Sequence, residues 1–213
     1  MTLEETLDQI KPLDKKAMDI ASKRWDSIAK PLHSLGKMEK LVIQIAGITG
    51  NSDMNVKKRA LVPMCADNGV VAEGVTQTGQ EVTAIVAENF LSGDTSACVM
   101  SRQCGTRVIP VDIGMAVDTK VPTDLKIAYG TANMTQGPAM TREQAVQALE
   151  VGIEMVRRLK EEGYGLLATG EMGIGNTTTS SAVASVLLNQ PVEEMTGRGA
   201  GLTSEGLIRK IRA

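Results

Sequence analysis

Leu166-Leu167-Ala168-Thr169-Gly170-Glu171-Met172-Gly173-Ile174-Gly175-Asn176-Thr177-Thr178 decides the fold. A short apolar run empties into a glycine turn, and a helix-like stretch from Ser180 to Leu188 follows. It reads as an apolar strand opening into a helix, and strands covered on both faces read as apolar runs, as the earlier one at 59–65 does. The same pattern occurs earlier, where Arg59-Ala60-Leu61-Val62-Pro63-Met64-Cys65 ends in Ala66-Asp67-Asn68-Gly69. Between the two, the spacing predicts a helix from about Glu81 to Gln103, a strand from Arg107 to Asp112, a short strand near Ile127 and a helix from Thr141 to Glu162. Parallel neighbours need a long crossover, usually a helix, so this alternation predicts an α/β fold: a doubly wound parallel sheet of Rossmann-like type.

Upstream the pattern changes. Thr2 to Lys30 reads as helix, with Leu3, Leu7 and Ile10 at helical spacing and a break at Pro12. After the turn-like Pro31-Leu32-His33-Ser34-Leu35-Gly36, a second helix is predicted from Lys37 to about Ile48. One boundary follows, near Gly50: residues 1–50 form a small helical region, and residues 51–213 an α/β nucleotide-binding domain. At the far end Gly206 to Ala213 reads as the first turns of an amphipathic helix, capped by Thr203 or Ser204, that halts without glycine or proline. The expectation is a domain cut at its C-terminus.

Composition narrows the function. A formal charge of -2 and 2% aromatic residues leave neither a basic excess for a nucleic-acid backbone nor a stacking platform for bases. Cys65, Cys98 and Cys104 show no C-x-x-C spacing and are odd in number, which suggests neither a disulfide framework nor a zinc site and fits a reducing cytoplasm. The charged N-terminus lacks the apolar run of a signal peptide, and no later segment reads as a membrane span. His33 is the only histidine, so a triad or a multi-histidine metal site is excluded, and it reads as a loop residue unless a partner subunit engages it.

Chemistry concentrates in the opening stretch. Its glycines let backbone approach a ligand, and the unpaired N–H groups of a helix start attract an anion such as phosphate, which makes Gly173, Ile174, Gly175, Asn176 and Thr177 candidates. A glycine turn required only for strand–helix packing fits the same residues. Glu171 is placed at the mouth of a parallel sheet, where open α/β folds bind ligands, and can stabilise a cationic transition state. A helix-start acid favoured by the dipole, or a salt-bridged loop acid, fits the spacing equally well. A second cluster, Gly197-Arg198-Gly199-Ala200-Gly201, precedes the helix carrying Lys210, a point charge that can reach back to a phosphate or simply face solvent. A nicotinamide dehydrogenase is disfavoured, because no G-x-G-x-x-G follows the first strand with an acid about twenty residues later.

Five ordered stretches together resemble the nicotinate-nucleotide:dimethylbenzimidazole phosphoribosyltransferase family: Pro31 to Gly36, Cys65-Ala66-Asp67-Asn68-Gly69-Val70, Glu81-Val82-Thr83-Ala84-Ile85, Gly137-Pro138-Ala139-Met140, and Gly170 to Thr178. The likeness runs over nearly the whole chain. It implies an enzyme of cobamide nucleotide-loop synthesis that moves the phosphoribosyl group of nicotinate mononucleotide to an aromatic base and releases nicotinate. It also implies a dimer, phosphate held against backbone around Gly173, Lys210 as the phosphate-binding lysine, Glu171 as the pocket carboxylate, and Gly199 at the nucleotide. Neither metal nor cofactor is called for, because the pyridinium leaving group is already cationic and departs neutral.

The chain departs from the family pattern at several points. Members usually read Pro-Pro-Gly-Ser-Leu-Gly at residues 31–36 and Asp-His-Gly at Asp67-Asn68-Gly69. In the acceptor pocket Thr78 stands for a common serine, Val86 for a glutamine and Met172 for a leucine, which makes the pocket more apolar and adaptable. The acceptor is therefore dimethylbenzimidazole, another benzimidazole, or a phenol as in the family branch with two paralogous subunits. The family's presumed general base is a glutamate beyond Ala213. A non-catalytic nucleotide-binding subunit in a heterodimer with a paralogue is the alternative to a catalytic homodimer.

Overall fold

A computed structural model describes residues 1–213. Its centre is β1 (Arg59–Ala66), which is parallel to every strand it touches. On one side lie β2 (Thr106–Val108) and β3 (Val111–Gly114); on the other lies β4 (Leu166–Met172). The strand expected at 107–112 is thus two short ones, and the reason is proline. The registers Leu61 to Val108 and Met64 to Val111 set Val62-Pro63 opposite Ile109-Pro110, so both strands lack an N–H at the seam. One bond survives there, from Ile109 N–H to the Leu61 carbonyl at 2.9 Å.

Helices cover both faces of β1, as the doubly wound reading predicts, whereas β4 has no fully buried residue. Ala60 and Val62 alternate onto the face that packs Met155 and Leu159 of α6 (Arg142–Glu161), together with Val111 and Tyr164. Cys65 points the other way, against Ala87 of α4 (Glu81–Ser92), with Met115 and Val121. Full burial of each such Val, Leu or Met stabilises the fold by about 1.5–3 kcal/mol. The helix expected from 81 to 103 is divided. Gly93 closes α4 in the left-handed conformation, and Thr95 opens α5 (Ser96–Gln103) by accepting the Cys98 N–H at 3.1 Å. Near Ile127 there is no strand, only an Ile127 N–H bond to the Ile113 carbonyl at 3.1 Å.

The N-terminal helices are α1 (Leu3–Asp8), α2 (Lys15–Asp26) and α3 (Lys37–Thr49). The last two pack through Ala17, Ala21 and Ala46. In contrast, α1 lies on α6, with Leu3 N–H donating to Glu150 at 3.0 Å. After β4 come α7 (Asn176–Leu188), the single turn α8 (Val192–Met195) and α9 (Ser204–Arg212). The start of α7 precedes the predicted Ser180 by four residues, so Asn176 and three consecutive threonines belong to the helix despite their weak helical preference. No helix is long and apolar enough to cross a membrane.

Candidate active site

The carboxyl ends of β1 and β4 are adjacent, with Cys65 in register with Met172, so the loops leaving them share one rim. Three acids stand at strand ends, and two are engaged by the loops around them. Asp67 accepts the Ala116 N–H at 2.8 Å, and Asp112 accepts those of Gly114 and Met115 at 3.1 and 2.9 Å while its other oxygen lies 3.1 Å from Lys126. Burial pushes the Cys65 thiol up to about 12, and the neighbouring Asp112 adds to this, so Cys65 is no nucleophile. Glu171 is the acid left at the open rim. Burial against the sheet end raises its carboxyl above the ordinary glutamate range, and the hydrogen bond donated by Asn176 acts in the opposite direction.

The turn after Glu171 fits only glycine at two places. A Cβ on Gly173 would sit 2.2 Å from the Ala66 carbonyl oxygen, and Gly175 has φ +91°. Asn176 N–H bonds back to the Gly173 carbonyl at 3.0 Å, and Thr178 N–H to that of Gly175 at 2.9 Å. The amides of Gly175 and Thr177 find no acceptor within the chain, and no side chain caps α7. Unpaired N–H groups at a helix start are an anion site in waiting.

Lys210 completes the arrangement. Although charged, it is only 3% exposed. Its Nζ donates to Thr177 Oγ1 at 2.7 Å and to the Gly197 carbonyl at 3.0 Å, and it pairs with no carboxylate. Burial accordingly lowers its pKa. A buried ammonium with no counter-charge is destabilising unless an anion joins it. Gly199 is beside it: a Cβ there would lie 3.3 Å from Lys210 Nζ and 2.7 Å from Thr177 Oγ1.

Two hollows meet at Thr177. One, of about 380 Å³, is lined by Lys210, Gly197, Gly199, Ser180 and Ser181. The other, of about 150 Å³, is lined by Gly173, Ile174, Gly175, Asn176, Met172 and Thr78, with Val75, Gln77, Arg198 and Leu202. The structure therefore gathers the glycine turn, Thr177, Gly199, Lys210, Thr78 and Met172 around one threonine. Val86, on α4, is not part of either lining. Val86 is half-buried on the same side of α4 as Thr83 and Ala87, yet it is Thr83 that reaches the turn. His33 is exposed on its loop, at φ +58° and 3.7 Å from Glu39.

Sequence reasoning missed Gln77, Arg198 and Val75. Arg198 lies inside the second glycine cluster, which was a usable signal. Its guanidinium donates to the Leu202 carbonyl at 2.7 Å and to Ser204 at 3.0 Å, bracing that cluster. Gln77 bonds the Gly201 carbonyl and so draws the same cluster toward the rim. That pairing spans a sequence separation of 124 residues, which no local pattern discloses.

Comparison with known proteins places this geometry. The profile of a family described as phosphoribosyltransferase matches residues 10–213. The nicotinate-nucleotide–dimethylbenzimidazole phosphoribosyltransferase of Ruminiclostridium cellulolyticum is 52% identical over 213 residues, covering 99% of this chain and 60% of that protein. The enzyme of the same description from Clostridium tetani is 48% identical over 99% of this chain and 59% of its own length. Among solved structures, CobT from Thermus thermophilus superposes with a TM-score of 0.83 at 40% identity, over 92% of this chain and 60% of that one. The chain spans about 60% of the length of the relatives it matches.

Proposed function

Because the chain belongs to the phosphoribosyltransferase family that includes the nicotinate-nucleotide–dimethylbenzimidazole enzymes, we propose that it binds nicotinate mononucleotide and takes part in moving the phosphoribosyl group to an aromatic base. The observation that carries this reading is Lys210: a buried ammonium without a counter-ion, hydrogen-bonded to Thr177 beside the free amides of Gly175 and Thr177. A phosphate bridging these groups supplies the missing charge and the missing acceptors together.

In this reading the sugar extends from the phosphate toward Glu171. As the bond to the pyridinium breaks, positive charge moves onto the ribosyl carbon. A carboxylate on the rim stabilises that charge or accepts the nucleophile's proton. Asn176 orients it, since one carboxyl oxygen accepts from that amide. The acceptor base, a benzimidazole or a phenol, lies against Met172 and Thr78 on the apolar side of the turn; with Val86 outside the lining, those two are the residues we assign to it. Residues 1–50 act as a helical unit beside the nucleotide-binding unit 51–213.

The test is incubation with nicotinate mononucleotide and a panel of benzimidazoles, purines and phenols, with nicotinate release and ribosylated products identified by mass. Failure to bind the nucleotide at all ends the reading. A second reading has its own support. The hollow beside the turn is lined by neither an acid nor a histidine, which fits a nucleotide-binding subunit that depends on a paralogue, as a hetero- rather than a homodimer. That version predicts nucleotide binding without nicotinate release.

A further inference from the structure

The Ile174 peptide groups at the centre of the turn are held from two directions by residues that the proposed reaction does not use. Ile174 N–H donates to Thr83 Oγ1 at 3.0 Å, and Thr83 is 0% exposed on α4. The Ile174 carbonyl accepts from Asn68 Nδ2 at 3.1 Å. Asn68 is itself fixed, because its Oδ1 accepts from Thr179 at 3.3 Å and its own carbonyl accepts from Gln80 at 3.1 Å. It lies beneath the turn: a Cβ on Gly173 would come within 3.0 Å of Asn68 Nδ2, and one on Gly175 within 3.2 Å of Asn68 Cβ.

Peptide planarity turns this into a functional statement. In a trans peptide the C=O and the following N–H point in opposite directions. Drawing the Ile174 carbonyl down onto Asn68 therefore sends the Gly175 N–H the other way, and that amide has no acceptor in the chain. Were the peptide free to rotate, a glycine at φ +91° would present little resistance, and the Ile174 carbonyl dipole could turn its negative end toward the ligand. Thr83 fixes the preceding peptide in the same manner and ties it to the first turns of α4.

We propose that Asn68 and Thr83 are positioning residues for the phosphate site, which set the direction of the Gly175 amide without touching the ligand. The inference rests on the reading of the turn as the nucleotide's phosphate site. It makes a demand that a merely structural role does not: loss of the clamp weakens binding of the phosphorylated ligand selectively.

Titration calorimetry with nicotinate mononucleotide, and with nicotinate riboside as the probe lacking phosphate, measures this on wild type, Asn68→Ala, Thr83→Val and Thr83→Ser. Wild-type affinity for the nucleotide tests the underlying reading; the variants test the clamp. The expected result is about a tenfold weaker nucleotide in Asn68→Ala and in Thr83→Val, the loss of one hydrogen bond's worth of orientation. Riboside binding stays within twofold of wild type, and Thr83→Ser, which keeps the hydroxyl, restores the nucleotide. Equal losses for both ligands, no loss for either, or failure of serine to rescue would overturn it. Should Thr83→Val not fold, Asn68→Ala at the less buried end of the clamp decides alone.

Discussion

Replacing Lys210 by methionine keeps the apolar stem and removes the ammonium, so it separates the charge from the packing. The lysine makes two hydrogen bonds within the chain, to Thr177 and to Gly197, and none to an acid. Losing two such bonds costs about 1 kcal/mol each. Release from burying an unpaired charge returns a comparable or larger amount. The folded chain should therefore melt within a few degrees of wild type, or above it. Ligand binding is different, because a charge-assisted bond to phosphate contributes about 1.5–3 kcal/mol. At about 1.4 kcal/mol per decade, nicotinate mononucleotide should bind roughly 10- to 150-fold more weakly, while the riboside is unaffected. Calorimetry and thermal melting on the same samples give both numbers. pH adds a sign. Burial lowers the Lys210 pKa, so between that value and 10.5 the unfolded chain carries more protons than the folded one, and stability rises with pH as nucleotide affinity falls. Wild-type nucleotide affinity in Lys210→Met, or a parallel loss of riboside binding, would refute the assignment.

Glu171→Gln keeps the size of the side chain and removes its charge; the transfer rate should fall by about 10²- to 10⁴-fold with nucleotide affinity little changed. Because burial raises the Glu171 pKa, the wild-type rate should decline on the acid side from a pH above the ordinary 4.5, and the glutamine variant should lose that limb; stopped assays across the acid range check it. Glu39, 4% exposed, lies 2.8 Å from the Lys30 ammonium, which holds its carboxyl below the ordinary range. Its contribution to stability is present above pH 4.5 and is lost as pH falls through the lowered value, so Glu39→Gln should be less stable at neutral pH and melt with a flatter acid dependence by circular dichroism. Met155→Ala opens the core between α6 and β1 and should cost about 2–5 kcal/mol in urea unfolding, with an unchanged slope.

Much of the fold was legible because its signals are local. The apolar run at 59–65, the glycine turn at 173–175 and the long amphipathic α6 each carry their own periodicity and caps. The errors have two causes: a local stop that was passed over, and strand pairing that a single sequence does not show. Apolar residues at helical spacing stand on both sides of Ser92 to Ser96, so the sequence reads as one helix although Gly93 supplies a stop and Thr95 a cap. Pro63 and Pro110 break the ladder only because the register sets them opposite each other. In the candidate site, Glu171 and the turn could be read from strand–turn–helix logic. The burial of Lys210 could not, since it depends on α9 packing against the start of α7 across 33 residues, nor could the Ile174 contact with Thr83, 91 residues away. Val86 rests on family position alone, whereas the contact that α4 makes with the turn comes from Thr83.

β4 pairs with β1 along one edge only, and its other edge has no strand beside it in the chain. Close by in sequence, α7 leaves Val186 and Leu187 80% and 78% exposed. Unpaired peptide groups on a strand edge and uncovered aliphatics on a helix are both features on which another chain can add. The consequence is practical: Leu187→Lys, which charges the exposed last turn of α7, should lower the light scattering of concentrated solutions of this chain.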